Sequence, residues 1–133
     1  MMIVCVDTFY FVALSNPRDA AHDRAVAWTR TFTGRFVTTT WVLTEFANHM
    51  CDPQNRQEFI EMLHDLRGND KVEIVPSGDS LWEDGLKLFA NRPDKEWSLT
   101  DCLSFVVMER EGLTDALTGD RHFEQAGFVA LLK

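Results

Sequence analysis

The sequence predicts an α/β fold in which helices cover both faces of a central, mainly parallel sheet of about five strands. Three observations predict it. Short apolar runs alternate along the chain with amphipathic stretches of helical period. The first run, Met2 to Val6, is continuously apolar and stops abruptly at Asp7, as a strand buried on both faces would. No repeat, low-complexity stretch or linker interrupts the 133 residues, so residues 1–133 are expected to form a single domain.

After the first strand, Phe9 to Leu14 reads as a short helix, closed by the turn signal Ser15-Asn16-Pro17. Ala20 to Phe32 reads as a helix with Gly34 as its C-cap. Phe36 to Thr39 is the second strand, and Trp41 to Met50 the next helix. Asp52-Pro53 is a helix start, an N-cap followed by proline at the first helical position. That helix carries Phe59, Ile60, Leu63 and Leu66 at helical spacing and ends at Arg67, with Gly68 beyond it. Val72 to Val75 is the third strand. Asp79 or Ser80 opens a helix that stops before Pro93. Ser98 opens another, running to Glu111 and closed by Gly112. Leu113 to Leu117 and Phe128 to Leu132 complete the strands.

Composition narrows the function classes. Hydrophobic residues make up 45% and charged residues 26%, as in ordinary globular chains. No apolar run approaches the roughly 18 residues of a membrane span, and the apolar start lacks a basic leader and a cleavage site. The expected location is therefore cytoplasmic, with no membrane partner. Three unpaired cysteines, Cys5, Cys51 and Cys102, argue against a disulfide framework and a zinc site. Cys5 and Cys102 lie in apolar segments and read as buried small hydrophobes. The formal net charge of −8 argues against a polyanionic partner at long range. A divalent cation in an acidic pocket would reverse the sign locally.

In parallel sheets ligands bind beyond the carboxyl ends of the strands. Asp7 follows the first strand, and Asp120 follows the fourth by three residues. Singly, each also fits a turn former or helix N-cap. Glu45 sits at the margin of the apolar arc formed by Val42, Leu43, Phe46 and Met50. It reads either as a part-buried carboxylate in need of a partner or as a solvated margin residue. Asp101 shares a stripe with Phe105 and Met108 while lying in the first turn after Ser98, where a capping box and the helix dipole favour an acid. Capping explains the acid but not its place on an apolar stripe. Four carboxylates at one sheet edge repel one another unless a cation joins them. Magnesium takes such oxygen ligands, and metal-assisted phosphodiester hydrolysis is the reaction class that follows.

The stretches Val6-Asp7-Thr8, Thr44-Glu45, Trp97-Ser98-Leu99-Thr100-Asp101-Cys102 and Ala116-Leu117-Thr118-Gly119-Asp120-Arg121-His122-Phe123 run in the order found in a known family. With them the chain resembles the PIN-domain ribonucleases, most closely the VapC-like toxins of toxin–antitoxin pairs. The resemblance implies a Rossmann-like, three-layer α/β/α PIN domain and Mg2+- or Mn2+-dependent endonucleolytic cleavage of RNA. It implies Asp7, Glu45, Asp101 and Asp120 as the catalytic acids, with Asp7 and Asp101 as direct metal ligands and Thr8 and Thr118 orienting the carboxylates. It further implies a cognate antitoxin and a possible homodimer. Asp115 is a competing acid, but it alternates with apolar neighbours inside a strand. Asp94 reads as an exposed loop residue. Arg121, His122 and Lys95 are candidates for RNA phosphate contacts, whereas Arg92 reads as solvated surface. His122, beside Phe123, also fits a packing role.

Two other readings compete. A receiver-like signalling domain also gathers acids at strand ends, but it needs a lysine late in the chain, and Lys133 at the last position is badly placed for that. A housekeeping PIN nuclease without an antitoxin would have the same site. A dinucleotide enzyme is disfavoured because Asp7-Thr8-Phe9 provides no glycine-rich turn for a pyrophosphate.

Overall fold

The structure, a computed structural model, describes residues 1–133. In chain order its elements are β1 (Ile3–Val6), α1 (Thr8–Ser15), α2 (His22–Thr31), β2 (Arg35–Thr39), α3 (Thr40–His49), α4 (Pro53–Gly68), β3 (Val72–Val75), α5 (Asp79–Asn91), α6 (Leu99–Glu111), β4 (Asp115–Leu117), α7 (Arg121–Gln125) and β5 (Val129–Ala130). The five strands form one sheet in the order β3-β2-β1-β4-β5, and every pairing is parallel. The expected α/β architecture and strand number are found.

Alternation within the strands divides the core between the two faces of the sheet. Val4 and Val6 of β1 and Leu117 of β4 join the larger cluster with Tyr10, Phe11, Val42 and Phe46 from α1 and α3. Cys5 and Ala116, pointing the other way, pack with Trp97, Cys102, Phe105, Met108 and Phe123. β1 is therefore covered on both sides, which explains its unbroken apolar sequence. Cys5 and Cys102 are buried free thiols, as expected, and Cys51 is exposed.

Several boundaries differ from the sequence expectation for local reasons. Helix α2 begins at His22, because Asp19 first closes a turn by accepting Ala21 N–H at 2.8 Å. Gly34 is not its C-cap, since Phe32 occupies that position. Gly34 instead lies against the Met2 carbonyl, where a Cβ would collide. Gly68 is the last residue of α4, and Asn69 caps it. Helix α5 does open at Asp79, with Gly78 as its N-cap. β4 and β5 are shorter than their apolar runs. The five-residue α7 was not expected, being too short to display a hydrophobic period. Ser98 and Gly112 do close the two ends of α6. The first forms a capping box with Asp101, and the second takes φ 66°, a left-handed conformation that favours glycine.

Candidate active site

The strand order reverses direction at β1. The chain moves from β1 through β2 to β3 on one side, and β4 and β5 lie on the other. The crevice between the carboxyl ends of β1 and β4 is the switch point where parallel sheets bind ligands. Asp7 is the first residue beyond β1, and Thr118 the first beyond β4.

Asp7 stands at the N-cap position of α1, yet its side chain makes no capping bond. Its Oδ2 accepts the Thr118 hydroxyl at 2.8 Å, a contact between residues far apart in sequence. The same hydroxyl oxygen accepts Asp120 N–H at 3.0 Å. Thr118, fully buried, thereby fixes both acids. Asp120 caps α7 by accepting His122 N–H at 2.9 Å. Asp101 Oδ2 accepts Ser98 N–H at 3.2 Å while Ser98 Oγ accepts Asp101 N–H at 3.0 Å. The capping box orients the carboxylate rather than exhausting it, because Asp101 also faces the crevice. Glu45 rides on α3, which starts directly after β2 because Thr39 caps it, accepting Val42 N–H at 3.1 Å. Val42, Leu43 and Phe46 anchor that helix in the core. Glu45 itself is exposed, so of its two readings the solvated margin residue is found and the part-buried carboxylate is not.

All four acids line one open hollow of about 410 Å3, together with Thr8, Ser98, His122 and two further acids, Asp19 and Glu96. No lysine or arginine lines it. Burial raises the carboxyl of Asp7 to about 7, with the charge of Asp101 adding to the effect and the Thr118 hydrogen bond opposing it. Burial likewise raises Asp101. There the Ser98 N–H pulls down, the Asp120 charge pushes up and His122 pulls down. Six carboxyl groups with one half-buried histidine and no fixed cation make a site whose charge is uncompensated by the protein. The chemistry of this donor set fits a hard divalent cation. The Asp101, Asp120 and His122 donor atoms lie within 4.8 Å of one another, and Thr8 Oγ1 is buried in the structure without a hydrogen-bond partner. The Thr8 side chain makes no hydrogen bond to a carboxylate; of the two threonines only Thr118 does, to Asp7.

The basic candidates separate. Arg121 is exposed and lies 3.9 Å from Glu96. Lys95 is half-buried next to Glu96 in the loop before α6, outside the hollow's lining. His122 lies inside, with Nδ1 3.3 Å from Asp101 Oδ2 and 3.4 Å from Asp120 Oδ1. Arg92 is tied to Asp94 and stacks over Trp97. Lys133 pairs with Glu124 at 2.8 Å, and no lysine lines the hollow as a receiver-type chemistry would need. Sequence reasoning passed over Asp19 and Glu96. The only available signal was their nearness to motif segments, Glu96 standing two residues before Ser98. A slightly larger hollow of about 450 Å3 beyond Trp97 is mainly apolar, and its two arginines are already paired with Asp84 and Asp94.

A family model described as the PIN domain matches residues 4–129. The chain belongs to the PIN-domain family. Among PIN-domain relatives, the 23S rRNA-specific endonuclease VapC20 of Mycobacterium tuberculosis is 29% identical over 130 residues, 96% of each chain. The crystal structure of Mycobacterium tuberculosis VapC20, a Sarcin-Ricin loop cleaving toxin, matches with a TM-score of 0.86 at 25% identity, covering 95% of this chain and 96% of that one. FitAcB from Neisseria gonorrhoeae matches with a TM-score of 0.65 at 19% identity, covering 97% of this chain and 95% of that one. At that identity the likeness is one of fold.

Proposed function

We propose that residues 1–133 are a single PIN domain acting as a metal-dependent endoribonuclease, the toxin of a toxin–antitoxin pair. The observation that carries this reading is the hollow at the switch point, lined by six carboxyl groups and no lysine or arginine. The relative named as an rRNA endonuclease supports RNA as the substrate class.

In this reading Asp7 and Asp101 hold a Mg2+ or Mn2+ ion, and Glu45 and Asp120 complete the acidic set directly or through water. The bound ion would supply Lewis acidity, easing deprotonation of a water and stabilising charge at the cleaved phosphodiester. The chain's own part is positioning. Thr118 locks Asp7 and the Asp120 backbone, and the Ser98 box locks Asp101. Arg121, exposed beside Asp120, and Lys95 are suited to hold RNA phosphates at the rim, against the net charge of −8. The family resemblance adds a cognate antitoxin and a possible homodimer. No helix is long and apolar enough to cross a membrane, in keeping with a cytoplasmic toxin.

Purified protein should cut RNA with Mg2+ or Mn2+ and stop when a chelator is added. Asp7→Asn and Asp101→Asn should each be inactive; parental cleavage rates in either would refute the site. Growth arrest on expression, relieved by co-expressing the product of a small adjacent gene, would separate a toxin from a housekeeping nuclease.

A further inference from the structure

His122 is placed neither at the rim, where a phosphate contact belongs, nor in the apolar core. Its ring is half-buried inside the hollow, and Nδ1 is almost equidistant from Asp101 Oδ2 at 3.3 Å and Asp120 Oδ1 at 3.4 Å. A good N–H···O bond is about 2.9 Å long, and a neutral imidazole offers a single N–H. Nδ1 makes one long hydrogen bond, to Asp101, and leaves Asp120 without one. The spacing suits another role. Ligand atoms roughly 2.1–2.2 Å from one octahedral cation, at right angles, lie about 3 Å apart. The ring is also delivered rigidly, because His122 N–H is bonded to Asp120 Oδ1 at 2.9 Å and the adjacent Phe123 is fully buried. The unpartnered Thr8 hydroxyl lines the same hollow.

We propose that His122 Nδ1 is a direct ligand of the divalent cation, together with Asp101 and Asp120, and that it biases the centre towards manganese over magnesium. The proposal rests on the metal-nuclease reading above and adds a ligand that the acidic quartet does not contain. Magnesium demands oxygen donors and keeps its waters, whereas imidazole binds first-row transition ions more readily. One nitrogen among oxygens should therefore separate the two ions.

The test uses the full chain, stripped of metal by a chelator and titrated with Mn2+ or Mg2+ alone by calorimetry. The Mn2+ form is also examined by electron spin-echo envelope modulation, which detects a directly bound nitrogen. We expect nitrogen modulation in the parent and its loss in both His122→Asn and His122→Gln, with circular dichroism verifying the fold. Mn2+ affinity should fall about tenfold or more in both variants, and Mg2+ affinity less. Mn2+ bound to the parent without nitrogen modulation, or modulation surviving in both variants, would overturn this inference and leave the nuclease reading intact. Failure of the parent to bind either ion would instead overturn the reading beneath it.

Discussion

Asp7 is the residue with most at stake. Burial and the charge of Asp101 hold its carboxyl near 7, against an ordinary value of 3.8. Between those two values the folded chain binds the proton more tightly than the unfolded chain. Metal-free stability should therefore fall as pH rises from about 4 to about 7, by an amount on the order of a few kcal/mol. Asp7→Asn removes this contribution. Melting curves in chelator should show the variant less pH-dependent than the parent over that window and more stable at its upper end. Parallel curves would contradict the burial argument. Thr118 makes the complementary case. Thr118→Val leaves a buried carboxylate and a backbone N–H without their partner, costing about 1–3 kcal/mol. RNA cleavage should drop roughly 10–100-fold, the usual effect of removing a group that orients a metal ligand.

At the scale of elements, α6 shows one motif serving two ends. The Ser98 box starts the helix and aims Asp101 into the hollow. Ser98→Ala should cost about 1 kcal/mol of stability and also weaken cation binding, because Asp101 loses its fixed orientation. Gly112, at the far end of the same helix, provides the contrast. At φ 66° an alanine is strained, so Gly112→Ala should destabilise by about 1 kcal/mol or somewhat more. Its cation affinity, measured by calorimetry, should equal that of the parent. Equal losses of affinity in both variants would mean that helix stability, not aim, sets the site.

For the whole molecule, charge and topology act together. The sheet order brings residues from both ends of the sequence, Asp7 and Asp120, to the same crevice. The result is a concentrated negative field in a chain already at −8. A cation that binds only the folded state should stabilise it by about 2.7 kcal/mol at a concentration a hundred times its dissociation constant, and so raise the melting temperature. Scanning calorimetry with Mn2+ should show that rise and its reversal by chelator. A melting temperature indifferent to Mn2+, Mg2+ and chelator would argue that the acids bind no ion.

The periodic features were legible in the sequence because they depend on neighbours only a few residues away. Unbroken apolar runs marked the strands, Asp52-Pro53 and Ser98 marked helix starts, and Gly112 marked a helix end. The four acids were legible as a set through their order and motifs, together with the rule that parallel sheets bind at their strand ends. What only the tertiary structure decided depends on distance in space. Thr118 reaching Asp7, Asp19 and Glu96 joining the hollow, and His122 turning inwards between two carboxylates are contacts that no local period encodes. Helix α7 and the place of Gly34 belong here too, since a five-residue helix shows no period and a glycine facing the Met2 carbonyl is defined by a strand remote in sequence. Local spacing fixes which residues become strand, helix and cap. Only the closing of the sheet around β1 decides which charged groups must share one crevice.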